Sequence, residues 1–200
     1  GCSDPEAASA ALAISPTVSQ VAHVCADHKK EAKLVKHLCA VRAQAAAAGK
    51  GRSPPRAIVF VNRVKTAVSL RRALAGSALL CSTSVGGQPA APLRVEALYG
   101  ALPQGERDAA VAAFRSGRCH VLVATDVAAR GLDVRGLPYV VNYDCPPTLA
   151  AYAHRVGRTG RLAARGHAYT FVTRAQARLA PGLAAVLSAC GQPLDPHLAA

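Results

Sequence analysis

Methionine is absent from all 200 residues, position 1 included, which points to a processed chain or a segment of something longer. Aromatic side chains make up only 4%, and that scarcity excludes stacking on a long series of bases as the main means of binding. The seven cysteines are an odd number with no C-x-x-C pair, fitting neither a disulfide framework nor the strong zinc spacings; a reducing, intracellular compartment is expected, with cytoplasm, nucleus and organelle left open. His23, Cys25, His28, His37 and Cys39 lie close together but match no zinc pattern, so no metal site is expected. No apolar run approaches the roughly 20 residues of a bilayer-spanning helix, and the N-terminus has no charged-then-apolar signal, so no membrane association is expected.

Acidic residues are missing between Glu31 and Glu96, while Lys33, Lys36, Arg42, Lys50, Arg52, Arg56, Arg63, Lys65, Arg71, Arg72 and Arg94 fall inside that gap. Over the whole chain Lys plus Arg outnumber Asp plus Glu by 24 to 11, a net charge of +13. That balance argues for a polyanionic partner such as nucleic acid, with a solvated basic face as the other reading until motifs decide. About half the residues are apolar (51%), enough for the core of one domain.

Short apolar runs bounded by turns, VAHVC (21–25), AIVFV (57–61), RVEAL (94–98), HVLVA (120–124), PYVVN (138–142) and HAYTFV (167–172), read as buried parallel strands. Helix-compatible stretches fill the gaps at 29–48, 64–74, 104–114, 148–156 and 174–190. This alternation predicts an α/β, doubly wound, mostly parallel sheet with helices on both faces, and ligands at the carboxyl ends of its strands. The expected domain spans 17–191, with a long surface loop at 75–92; residues 1–16 and 192–200 lack apolar periodicity and are expected to be frayed or linker-like.

Three segments carry candidate chemistry. HRVGRTGR (154–161) crowds three arginines and two glycines into a turn after a helix. Clustered guanidinium groups repel one another unless they face an anion, and their planar forks suit phosphate oxygens. Arg158 and Arg161 can project to one side if the chain stays helical there. In VLVATDVAARGLDV (121–134), a strand ends at Thr125. Thr125 offers a hydroxyl and Gly131 an open amide to a phosphate, Asp133 can accept from a sugar hydroxyl, and Asp126 reads as a helix N-cap. In ALYGALPQGERDAAVAAF (97–114), Gly100 lets backbone approach a ligand, and Gln104 and Arg107 share the first turn of a helix whose amide end favours anions.

Together, and in this order, the segments resemble the C-terminal RecA-like domain of DEAD-box RNA helicases, over about residues 21–173. IVFVNR (58–63) resembles motif IV of that family, GALPQGER (100–107) motif IVa with its Q-x-x-R element, ATDVAARGLD (124–133) motif V, VVNYDCP (140–146) the strand that follows, and HRVGRTGR motif VI. The resemblance implies that Arg158 and Arg161 are arginine fingers at the γ-phosphate of ATP and that Asp133 lies near its ribose. It implies that Gly100, Arg107 and Thr125 contact RNA phosphates, and that Gln104, Arg130 and His154 couple nucleotide state to closure between two domains. Ala101 stands where the family often has Asp, Tyr99 stands where His is frequent, and the 75–92 loop is longer than usual.

No G-x-x-x-x-G-K-[ST] loop and no D-E-A-D element occurs in the chain; GKGRS (49–53) has its Lys before the second Gly. The expectation is therefore half of an ATP-dependent RNA helicase, monomeric, inactive as an ATPase by itself. An N-terminal RecA-like domain would hold Mg²⁺ and present ATP. A non-catalytic RNA-binding or adaptor module of the same fold, and a DNA helicase domain of the same superfamily, are the alternatives.

Overall fold

The computed structural model describes residues 4–47, 54–82, 84–85, 88–89, 91–129, 137–160 and 165–199. In chain order the elements are α1 (Pro5–Leu12), β1 (Val18–Val24), α2 (Lys30–Ala47), β2 (Ala57–Val61), α3 (Val64–Ala75), α4 (Ala78–Cys81), β3 (Ser84–Val85), β4 (Gln88–Pro89) and β5 (Val95–Leu98). There follow α5 (Gln104–Arg115), β6 (Val121–Thr125), α6 (Asp126–Ala129), β7 (Tyr139–Asn142), α7 (Leu149–Val156), β8 (Gly166–Val172), α8 (Ala180–Ala189) and α9 (Pro196–Ala199). The chain divides into two compact units, residues 1–28 with 133–200, and residues 29–132.

In the second unit β6 pairs in parallel with β2, from Ala57 opposite Val121 to Val61 opposite Thr125, and with β5, from Val95 opposite Val121 to Leu98 opposite Ala124. Every residue of AIVFV and VLVAT is buried, which is why these strands are continuous apolar runs rather than alternating ones. Helix α3 turns Ala67, Leu70 and Leu74 inward, and α5 does the same with Ala110 and Phe114. Burying a side chain such as Phe114, which has no exposed surface, stabilises by about 1.5–3 kcal/mol.

Only part of the expected 75–92 loop is irregular. It contains α4 and the small antiparallel pair β3 and β4. Leu80 is fully buried, the buried Arg42 of α2 donates to the carbonyls of Leu80 (3.3 Å) and Ser82 (2.6 Å), and the Leu93 N–H donates to Leu80 (2.9 Å). A guanidinium that satisfies two carbonyls at once holds this segment in place, a long-range contact invisible in local composition.

In the first unit β8 is flanked in parallel by β1 and β7. Residues 1–16, expected to be frayed, instead carry α1, capped by Asp4, whose Oδ1 accepts from the Glu6 N–H (3.0 Å), with Ala7, Ala10 and Ile14 buried in the core. Residues 192–198 of the tail are likewise tied down. Gln192 Oε1 accepts from the Gln20 N–H (2.8 Å), Asp195 Oδ2 from the Val24 N–H (3.2 Å), and Leu198 of α9 is buried. These acceptors satisfy outward-facing donors of β1, beyond which no strand pairs among the described residues. Burial alone would raise the Asp195 carboxyl. The N–H groups of His197 and Val24, with the charges of His23 (Nδ1 3.4 Å away) and His197, outweigh it and hold the group below the ordinary carboxylate range.

Candidate functional site

The residues singled out from sequence fall into both units. In the second, Leu98 pairs with Ala124, so the segment Tyr99–Gly100 leaves β5 beside Thr125, the last residue of β6. The strand–turn–helix connections after β5 and β6 thereby place Gly100, Gln104, Arg107 and Thr125 at the carboxyl ends of two paired strands, where α/β proteins hold ligands. A Cβ built on Gly100 would meet nothing within 4 Å; internal packing does not demand glycine there. Arg107, half-buried in the first turn of α5, donates from Nη2 to the Ala128 carbonyl at the end of α6 (3.1 Å). Its guanidinium thus ties the turn after β5 to the turn after β6. Gln104 is exposed and donates to Asp108 Oδ1 (2.8 Å), one turn along its own helix. Thr125 is buried, with 8% of its surface exposed, and Asp126 opens α6 directly behind it.

In the first unit, α7 is capped by Thr148, whose hydroxyl accepts from the Ala151 N–H (3.1 Å), and ends at Val156. The helical continuation that would set Arg158 and Arg161 three apart on one face does not occur. Gly157 caps the helix, donating to Ala153 (2.8 Å), and the chain turns so that Thr159 forms a parallel bridge with Leu137. Thr159 is buried and its hydroxyl donates to the Leu137 carbonyl, while the Leu137 N–H donates to the Arg158 carbonyl (3.4 Å).

The three arginines expected to face an anion are not equivalent. Arg155 is 2% exposed, and its Nη1 donates to the Asp144 carbonyl (2.7 Å) and to Asn142 Oδ1 (3.4 Å), bracing the end of β7 against α7. It points inward because it lies beside the buried positions Tyr152, Ala153 and Val156. Its spacing from Leu149 and Tyr152 in the sequence is the one signal that could have separated it from its neighbours. Arg158 is half-buried and His154, on the last turn of α7, is exposed. Gly160 has φ +67°, and its carbonyl accepts from the Thr17 hydroxyl (3.0 Å). A Cβ at Gly160 would lie 2.2 Å from Val18 Cγ2, and one at Gly166 2.2 Å from Thr159 Oγ1. The glycines therefore let the motif VI turn lie directly against β1 and β8. Arg130, Asp133 and Arg161 lie outside the described residues.

Among the described residues no three His, Cys, Asp or Glu side chains converge as a metal site, and no helix is long and apolar enough to cross a membrane.

The family model of the helicase conserved C-terminal domain matches residues 29–163. The chain is 35% identical over 187 residues to the ATP-dependent RNA helicase p62 of Drosophila melanogaster, covering 94% of this chain and 23% of that protein. Across the first three curated relatives the chain spans 18–23% of their length. Its structure is similar to that of the RNA helicase Prp28 from Chaetomium thermophilum bound to ADP (TM-score 0.66, 29% identity, 90% of this chain and 38% of that one). It is also similar to the C-terminal domain of the DEAD-box protein Dbp5 (TM-score 0.63, 28% identity, 90% and 89%). The architecture is accordingly the RecA-like, doubly wound α/β class expected from the strand and helix alternation. The chain belongs to the helicase conserved C-terminal domain family, as the RecA-like C-terminal domain of a DEAD-box RNA helicase.

Proposed function

We propose that the chain supplies half of the catalytic and RNA-gripping machinery of an ATP-dependent RNA helicase, whose other half is an N-terminal RecA-like domain. The observation that carries this reading is the guanidinium tie from Arg107 to the Ala128 carbonyl, 3.1 Å long. It draws the turns after β5 and β6 together, so that the open face of Gly100 and the exposed remnant of Thr125 share one strand-end surface. Gly100 presents backbone, Thr125 a hydroxyl and Arg107 its remaining donors to RNA phosphates, giving contacts that position a strand without reading its bases.

At the end of α7, Arg158 serves as an arginine finger to ATP, with Arg161 as the second and Asp133 at the ribose. The donor chemistry fits a triphosphate, since a guanidinium fork matches phosphate oxygens, and Arg155, Thr159 and Gly160 hold the turn from beneath. Arg130, His154 and Gln104 form the coupling group that transmits nucleotide state. Mg²⁺ would be held by the N-terminal domain. Bound there with ATP, it would neutralise phosphate charge; the part of this chain's residues is to position the phosphates and the RNA. The protein acts as a monomer inside the cell, away from membranes.

The test fuses the chain to the N-terminal RecA-like domain of the Drosophila relative and measures ATP turnover with RNA, with DNA and with neither. RNA-stimulated turnover in the fusion and none in the chain alone is the expected result. Arg158→Lys and Arg161→Lys should each lower kcat by roughly ten-fold or more, with RNA affinity without nucleotide nearly unchanged. Near-normal turnover in both Lys variants overturns the finger assignment. Stimulation by DNA alone points to the DNA helicase alternative, and RNA binding without turnover in the fusion to the adaptor.

A further inference from the structure

Among the described residues β5 pairs with a single strand, β6. The Arg94 carbonyl accepts from the N–H groups of His120 (2.9 Å) and Val121 (3.1 Å), so it points toward β6. Backbone direction alternates along a strand, so Glu96 and Leu98 also direct their amide and carbonyl groups toward β6. Val95 and Ala97 direct theirs to the open side. The free sides of β1 and β5 differ. Donors on the free side of β1 are met by Gln192 and Asp195 from the tail, whereas no hydrogen bond from the described residues meets those of Val95 and Ala97 on the free side of β5.

Ala97 of that edge lines a groove of about 560 Å³ between α3 and α5, and Val95, 5% exposed, lies just outside the lining. Its walls are apolar, with Val68 38% exposed on α3 and Ala109, Ala110 and Ala113 on α5. Its rim is charged. Arg71 pairs with Glu96 (3.4 Å), while Arg72 and Arg118 line the groove with no carboxylate partner among the described residues.

We infer that this groove is a docking site for an extended peptide segment of another protein, which adds a strand to β5 and sets acidic side chains against Arg72 and Arg118. Main-chain bonds to Val95 and Ala97 supply a sequence-independent part of the affinity. Alternate side chains of the added strand settle on the alanine wall of α5 and at the arginine rim and supply selectivity. Small wall residues leave room for a backbone to approach the edge. RNA fits less well, because Glu96 and Glu106 also line the groove and the free edge donors and acceptors match a peptide backbone. None of the residues assigned to RNA lines this groove, so the inference stands whether or not that proposal does.

Hydrogen exchange on the whole chain tests the edge first. The amides of Val95 and Ala97 should exchange freely, while those of Glu96 and Leu98 are protected; equal protection at all four overturns the inference. A phage-displayed random 12-residue peptide library is then panned against the chain, and selected peptides are synthesised and titrated by fluorescence anisotropy. The expected binders are acidic, protect the Val95 and Ala97 amides, and lose roughly ten-fold or more in affinity in the Arg72→Glu/Arg118→Glu double variant. Ala97→Pro, which removes an outward N–H, should also abolish binding. If that variant fails to fold, the two exposed charge reversals carry the test alone. Absence of binders, binders indifferent to the reversals, or protection of the two amides by a 15-residue oligouridine in place of any peptide overturns the inference.

Discussion

Gly160→Ala is the substitution whose cost the geometry specifies most closely. Residue 160 has φ +67°, a left-handed conformation that costs an L-residue about 1–2 kcal/mol relative to glycine. Its new Cβ would sit 2.2 Å from Val18 Cγ2 and 3.1 Å from Thr17 Oγ1. Val18 is 1% exposed on β1, so the displaced atom belongs to a packed core residue and not to a flexible surface side chain. Overpacking of this kind costs about 1–3 kcal/mol. The sum is about 2–5 kcal/mol, or a fall in Tm of about 5–15 °C at the usual scale for a chain of this length. Gly191 separates the two contributions within the same unit: it has φ +66° and open space around the built Cβ. Gly191→Ala should therefore cost only the backbone part, about 1–2 kcal/mol. Val18→Ala by itself should cost about 1.5 kcal/mol for two lost methyl groups. In the Gly160→Ala background it should cost less or even stabilise, because it removes the obstructing methyl, a coupling of about 1 kcal/mol or more. Urea denaturation followed by circular dichroism gives all four values from midpoints at a common slope. Equal losses for Gly160→Ala and Gly191→Ala, or additive effects of Gly160→Ala and Val18→Ala, would refute the steric argument.

Arg155→Met should cost about 3–5 kcal/mol in the same assay, since it strips the partners from a buried network at Asn142 and the Asp144 carbonyl; a loss below about 1 kcal/mol counts against the bracing role. Leu80→Ala should cost about 2–5 kcal/mol because Leu80 is fully buried, and its exposed neighbour Leu79, at 66%, should tolerate alanine within about 0.5 kcal/mol. The pH dependence has one sign for two groups. Burial, aided by the charges of Arg94 and Arg42, lowers the pKa of His120, so the unfolded chain binds a proton first, and acidification through the ordinary histidine range should lower stability. The depressed Asp195 carboxyl adds stability above its unfolded value, which is lost as pH falls through its folded one. The stability difference between the unsubstituted chain and Asp195→Asn should shrink as pH falls through the carboxylate range; a difference that stays constant contradicts the carboxylate's role. On the RNA reading, Arg107→Ala should weaken unrelated sequences alike and reduce the slope of log affinity against log salt by about one. A loss confined to one sequence would assign Arg107 to a base.

Those parts of the molecule whose structure is a local matter are legible in the residues alone. AIVFV is β2 residue for residue, and the stretches at 64–74 and 104–114 are α3 and α5 to within one residue, because continuous β-branched runs and helical spacing of large apolar groups carry their signal within a few turns. The motifs resembling the DEAD-box family were likewise legible, since glycine, threonine and arginine at short fixed spacings are local patterns. Tertiary structure alone decided the rest. In α1 the inward residues are Ala7 and Ala10, too small to mark an apolar face until α7 and α8 cover them. The tail has no hydrophobic pattern because, Leu198 apart, its contacts are polar, with Gln192 and Asp195 satisfying the donors of β1. HRVGRTGR presents three arginines as equals, yet α7 ends at Val156, so Arg155 is carried into the interior and Arg158 into the turn. Which guanidinium is drawn into the core depends on where the helix stops and on what packs beneath it, and neither is encoded in the identity of the residue.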